Sequence, residues 1–179
     1  MLLYYDLGSP YAYLAVERAE AVLGRAPELR PVLLGGFFAP RGWGSWSQTE
    51  EREERMTDLA ARAARYGLPP LRFPEGWPLN GLTAMRAATW ARSDAFAREA
   101  FRRQFAGGVD ISTRDALTDV AAAVGLGEPA FDDPAVKAAL RDATEAAWAA
   151  RVRGIPSLQI GDQLFYGDDQ LEAALGPGH

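Results

Sequence analysis

The chain has 179 residues, with 19 Lys+Arg against 24 Asp+Glu, and a formal net charge of −5. That balance argues against a nucleic-acid partner and against basic docking on a membrane, since both depend on neutralising anionic groups. With no cysteine and a single histidine, His179 at the last position, the chain lacks the residues for a dithiol centre, a thiolate nucleophile, a Ser-His-Asp triad or the usual zinc sites.

Leu2 to Leu7 is a short apolar and aromatic run that ends at Gly8 and predicts a strand. Gly8-Ser9-Pro10 predicts a helix start, with Ser9 as N-cap and Pro10 in the first turn. Helical spacing continues to Leu23, where Gly24 stops it. Arg30 to Leu34, closed by Gly35-Gly36, predicts a second buried strand, and Phe37 to Ser47 a loop rich in glycine and aromatics. Thr49 to Tyr66 predicts a charged amphipathic helix whose Glu50 to Arg55 run reads as a solvated face. Leu71 to Leu79 predicts an ordered loop. Asn80–Ser93, Asp94–Phe105, Thr113–Val124 and Pro134–Arg151 predict four more helices, rich in alanine. Ser157–Ile160 and Gln163–Tyr166, split by Gly161-Asp162, predict a hairpin, followed by a short helix over Asp168–Leu175 and a frayed tail at Gly176-Pro177-Gly178.

A lone hairpin is barely stable in water, so this one is expected to join the first two strands in one sheet. That pairing brings the residues near Pro156 beside the Ser9 turn. The expected organisation is a core built from 1–36 and 151–179, with a mainly helical insertion over 37–150. No run reaches the ~18 apolar residues of a membrane span. The start has neither a basic n-region nor a cleavage site, so the cytoplasm is the expected location.

Three constellations are candidates for chemistry. At Asp6-Leu7-Gly8-Ser9-Pro10-Tyr11-Ala12, the Ser9 hydroxyl lies at a helix start, where unpaired N–H groups and the positive dipole end favour an anion. A plain N-cap accounts for the same serine. At Gly154-Ile155-Pro156-Ser157, the proline before a strand fits either a trans strand entry or a cis turn. At Phe165-Tyr166-Gly167-Asp168-Asp169-Gln170-Leu171, two carboxylates stand at a predicted helix start, where capping alone favours them.

Taken together, these stretches resemble the thioredoxin-like superfamily, in the DsbA-like branch that carries a helical insertion. Ser9-Pro10-Tyr11-Ala12 lies where the redox members have Cys-Pro-x-Cys, and Gly154-Ile155-Pro156-Ser157 resembles their cis-proline loop. Ser9 in place of the first Cys, followed by Tyr13-Leu14-Ala15, and the Leu164-Phe165-Tyr166-Gly167-Asp168-Asp169-Gln170-Leu171 stretch are similar to the 2-hydroxychromene-2-carboxylate isomerases and the kappa-class glutathione transferases. The resemblance implies an α/β thioredoxin-like fold and a glutathione-dependent isomerase acting on an aromatic hydroxy or keto acid. It implies glutathione, or another low-molecular-weight thiol, as cofactor, no metal, and a homodimer. It places the thiolate on Ser9, Pro10 and Tyr11. It pairs the cysteinyl backbone with Ile155 before a cis Pro156, and sets the γ-glutamyl end on Asp168 and Asp169, leaving Arg41 or Arg153 for the glycyl carboxylate. A glutathione transferase and a cysteine-free thioredoxin-like binding protein are the alternatives. Phe37, Phe38, Trp43, Trp46, Tyr66 and Trp77 are candidates for an aromatic pocket wall or for core. Two departures from the resembling pattern stand out. The Phe37 to Ser47 stretch holds no Asn or Lys, and Gln170 stands where an Arg is usual.

Overall fold

The computed structural model describes residues 1–38, 42 and 44–176. Arg41, Trp43, His179 and most of the expected tail lie outside the described residues. Four strands form one mixed sheet in the order β2-β1-β3-β4. The strands are β1 (Leu2–Tyr5), β2 (Glu28–Pro31), β3 (Ser157–Ile160) and β4 (Gln163–Tyr166). β1 runs parallel to β2 through helix α1 (Pro10–Leu23) and antiparallel to β3, with Leu3 opposite Leu158 and Tyr4 opposite Ser157. The C-terminal hairpin therefore completes the sheet begun by the first two strands, as its length requires.

After β2 come α2 (Leu34–Phe38), α3 (Arg52–Arg65), α4 (Leu82–Ala91), α5 (Asp94–Phe105) and α6 (Arg114–Ala123). The last helix before the hairpin is α7 (Pro134–Ala149). Cap chemistry explains several boundaries. Ser9, Ser93, Thr113 and Asp133 each accept a first-turn N–H, and Gly24 closes α1 at φ 70°. Among the described residues, no helix is long and apolar enough to cross a membrane.

Three expectations are corrected. The second strand is Glu28–Pro31, not Arg30–Leu34, because, after Val32 N–H has donated to Tyr5 O, side chains take the Leu33 and Leu34 N–H groups out of the ladder. Leu33 N–H donates to Thr144 Oγ1 at 3.0 Å and Leu34 N–H to Asp6 Oδ2 at 2.8 Å. The expected loop instead opens inside helix α2, which carries Gly35 and Gly36, both poor helix formers. The final helix is two 3₁₀ turns, Asp168–Gln170 and Ala173–Leu175. The Asp168 carbonyl, which an α-helix needs for residue 172, accepts from Arg18 Nη1 at 2.9 Å.

The insertion and the sheet share one core. Phe101 on α5 is fully buried, with ring centroids 5.7 Å from Tyr5 on β1 and 6.2 Å from Tyr13 on α1. Arg102 adds a bidentate pair to Glu17 on α1. Removing this ring deletes packing on both sides at once. Phe101→Ala is expected to lower the unfolding free energy by ~3–5 kcal/mol in a single transition, read by urea denaturation followed by circular dichroism.

Candidate active site

The site forms where β1 ends. Asp6 is buried, and each of its carboxylate oxygens accepts one backbone N–H. Oδ1 takes Gly8 at 2.8 Å and Oδ2 takes Leu34 at 2.8 Å, while the Asp6 carbonyl accepts Ser9 N–H at 3.0 Å. Burial raises the pKa of this carboxyl, and the Leu34 and Gly8 N–H groups pull it back. Asp6 thereby fixes the turn that carries Ser9.

Ser9 is 7% exposed and lines a pocket of about 130 Å³. Its Oγ accepts from Ala12 N–H at 3.2 Å, so the plain capping role is real. A hydroxyl also carries one proton to donate, and among the described residues this one donates to nothing. Pro10 has no N–H, and the Ala12 and Tyr13 N–H groups go to Ser9 Oγ and Ser9 O. Among the described residues, the Tyr11 N–H in the first turn of α1 has no recorded acceptor.

Ile155 and Pro156 face the same region. Their peptide bond is cis, and sheet pairing begins at Ser157, so the Ile155 backbone lies outside the ladder. Ile155, Tyr11, Arg55 and Tyr166 line both the Ser9 pocket and a neighbouring cleft of about 650 Å³. The two cavities thus form one groove with a waist at these residues.

The groove divides its charge. The large cleft has five carboxylates, Glu51, Glu54 and Asp58 from α3 and its start plus Asp168 and Asp169, against Arg55 and Arg62. The small pocket is lined by Arg55 and Arg153 and, among the described residues, by no carboxylate. Its other walls include Phe38, Trp46 and Trp77.

Asp168 and Asp169 have different tasks. The Asp168 side chain is 1% exposed and fully engaged: Arg62 Nη1 donates to Oδ1 at 3.0 Å and the Tyr66 hydroxyl to Oδ2 at 2.9 Å. Burial raises its pKa, opposed by Tyr66 and Arg62. Both carboxylate oxygens are spoken for, so Asp168 works as a clamp that seats the C-terminal turn. The Asp169 side chain is 45% exposed, 3.2 Å from Arg62 Nη1, and open to the cleft.

Other candidates also separate. Phe37 is buried core, and Tyr66 serves Asp168. Arg153 stacks 3.6 Å from the Trp148 ring centroid, and its Nη1 donates to the Trp148 and Val152 carbonyls. Arg55 was missed: it belongs to a run that reads as a solvated face, yet it lines both cavities, and its Nε is held at 2.8 Å by Glu51. Its position on the α3 turn facing the groove depends on how α3 packs, which the run of charges does not reveal. Among the described residues, no group of three His, Asp or Glu side chains is placed to hold a metal ion.

A βαβ unit completed by an antiparallel hairpin, with a cis proline beside the turn that starts α1, defines a thioredoxin-like protein carrying a helical insertion. The chain belongs to the DSBA-like thioredoxin domain family, whose model matches residues 1–176. It is 28% identical over 184 residues to 2-hydroxychromene-2-carboxylate isomerase of Sphingobium xenophagum, a match covering 94% of this chain and 92% of that protein. In structure it resembles a 2-hydroxychromene-2-carboxylate isomerase, with a TM-score of 0.83 at 23% identity over 98% of this chain and 95% of the other. The cytosolic disulfide reductase DsbM of Pseudomonas aeruginosa shares the fold, with a TM-score of 0.61 at 20% identity over 97% and 95%.

A buried carboxyl with a raised pKa binds its proton more tightly folded than unfolded. The stability contributed by Asp6 and Asp168 is then fully present below the ordinary value of 3.8 and is lost as pH rises through their raised pKa values. Asp6→Asn sets an amide NH₂ against a backbone N–H. The variant is expected to be less stable by ~1–3 kcal/mol and to show a flatter decline of stability above about pH 4, measured by urea unfolding across a pH series.

Proposed function

We propose that this protein is an isomerase that uses a bound low-molecular-weight thiol, glutathione in the first instance, on an aromatic hydroxy or keto acid. The observation that carries the reading is the Ser9 turn. Among the described residues, it holds an undonated hydroxyl proton and a helix N–H with no recorded acceptor beside a cis-proline loop, at the waist between an acidic cleft and a cationic aromatic pocket. The similarity to the Sphingobium isomerase along 94% of the chain supports the same class of reaction.

The residues present suit such a thiol. Ile155 offers backbone groups that lie outside the ladder to a cysteinyl unit, in the manner of an added strand. Asp169 offers the cleft a half-exposed carboxylate, beside Arg62, for an α-ammonium. When bound, the thiol supplies a nucleophile that adds reversibly to a conjugated carbon, so that the neighbouring double bond can turn before the sulfur leaves unchanged.

The chain's own residues prepare that step. A free alkyl thiol has a pKa near ~8.5. A hydrogen bond to a charged acceptor contributes ~1.5–3 kcal/mol, which lowers the pKa by roughly one to two units. Ser9 Oγ–H supplies that bond, aided by the Tyr11 N–H and the positive end of α1. Ser9 is not assigned as a nucleophile, since among the described residues none accepts its proton. Arg55 and Arg153 hold the carboxylate of the acid, and the Trp46, Trp77 and Phe38 rings enclose its aromatic body and exclude water.

Turnover of 2-hydroxychromene-2-carboxylate should require added glutathione and leave its concentration unchanged. Net consumption would identify a transferase instead, and glutathione-independent turnover would overturn the thiol reading. Ser9→Ala is expected to slow the reaction roughly tenfold at pH 7 and to recover much of that loss above about pH 9, where free thiol ionises unaided. Ser9→Thr, which keeps the hydroxyl, should restore the neutral-pH rate. Equal pH–rate profiles for Ser9→Ala and the parent protein would remove Ser9 from the chemistry.

A further inference from the structure

Another cavity shares no residue with the groove. It holds about 260 Å³ where α4 and α7 meet the start of α2. Gly36 of α2 lines it, while Leu34 and Phe38 of the same helix line the Ser9 pocket, so α2 stands between the two. Leu33, Leu82 and Leu140 form an apolar wall, and among the described residues no aromatic side chain lines this cavity. Thr144 Oγ1 is engaged, donating to the Leu140 carbonyl at 2.7 Å and accepting Leu33 N–H at 3.0 Å. The charged lining is Arg86, Lys137 and Arg141 against Glu145, in a chain whose net charge is −5. Lys137 lies 3.4 Å from Asp132, and Arg141 pairs with Asp142 at 3.0 Å. Arg86 is half-buried and, among the described residues, makes no hydrogen bond, ion pair or ring contact. The cavity thus combines an aliphatic lining with a cation whose charge is unanswered.

We infer that this cavity binds an aliphatic monocarboxylate, with the alkyl chain on the leucines and the carboxylate on Arg86. Charge sets the sign of the ligand. An anion answers Arg86, whereas a cation would join Arg86, Lys137 and Arg141 as a further like charge. The lining sets the body of the ligand. Aliphatic walls suit an alkyl chain, in contrast to the aromatic walls of the Ser9 pocket. Volume sets its size. At ~30 Å³ for each water-sized unit, the cavity has room for roughly nine non-hydrogen atoms, an acid of about eight carbons. A guanidinium also meets a carboxylate with two parallel N–H donors, which favours this headgroup over a neutral hydroxyl. The site stands apart from the thiol chemistry proposed for the groove and does not depend on it.

The test follows the Leu82 and Leu140 methyl signals of the full chain by NMR during titration with octanoate, butanoate or octylamine, without any thiol. Octanoate should shift both signals in a saturable way and bind at least about tenfold more tightly than butanoate, whose chain is shorter. Octylamine, the same chain with the opposite charge, should leave both signals in place. Arg86→Gln keeps a polar side chain and removes the charge. It should unfold at the temperature of the parent protein, since it loses no partner among the described residues, and bind octanoate about tenfold more weakly. The comparison of octanoate with octylamine uses the parent protein alone and does not depend on how the variant folds. Octanoate that shifts the Ile155 methyls beside Ser9 but neither leucine would assign the acid to the groove and overturn the inference. Equal responses to octanoate and octylamine, or an unchanged affinity in Arg86→Gln, would overturn it too. Leucine signals indifferent to octanoate in a protein that sediments as a dimer would give this face to a second copy of the chain instead.

Discussion

The groove depends on the carboxylate of Asp6. β1 lies between β2 and β3, so the chain leaving it starts from a fixed position. Asp6 then ties down two departures at once, accepting Gly8 N–H before the Ser9 turn and Leu34 N–H at the start of α2. Those segments supply Ser9 and Phe38 to the lining of the small pocket. An ionised carboxylate can accept at both oxygens, whereas an amide of the same size can accept at one. The close fit leaves no slack nearby, since a Cβ on Gly8 would stand 3.3 Å from Asp6 Oδ1.

With the turn fixed, the rest of the site is a matter of charge. α3 brings Glu51, Glu54 and Asp58 to one cavity and Arg55 to both. The C-terminal turn adds Asp169 at the acidic end, held in place because Asp168 is engaged by Arg62 and Tyr66 and its carbonyl by Arg18. Burial pulls the Arg62 pKa down, but Asp168, Asp58 and Asp169 together hold it above its ordinary value, so the clamp stays charged. A molecule lying along the groove would meet cation-favouring and anion-favouring ends in a fixed order. This orientation does not depend on shape, and in the proposed function it separates the ammonium of the thiol from the carboxylate of the acid.

The parts of this arrangement legible in the sequence are those with local chemical signals. Asp94–Phe105, Ser157–Ile160 and Gln163–Tyr166 have the predicted limits because caps and turn residues mark their ends. The pairing of the hairpin with β1 follows from the instability of a lone hairpin. What stayed hidden depends on distant partners. No local pattern shows that Thr144 and Asp6 will take the Leu33 and Leu34 N–H groups, or that Arg18 will take the Asp168 carbonyl. Likewise, the charge run containing Arg55 reads as solvent-facing until the cleft beside α3 is known.

Ser9 and Asp168 show why a capping residue can belong to a site in one place and only to the scaffold in another. The deciding quantity is the hydrogen-bonding capacity left after the local structure is satisfied. Asp168 uses both oxygens on Arg62 and Tyr66 and is sealed from solvent, so it has little left to offer a ligand. Ser9 accepts from Ala12 N–H and keeps its proton. Accepting that bond polarises the hydroxyl and makes its proton a better donor, the cooperative effect known in chains of hydrogen bonds. The cap on α1 therefore does not compete with a role toward an anion in the pocket; by ordering the oxygen and strengthening its O–H, it supports that role.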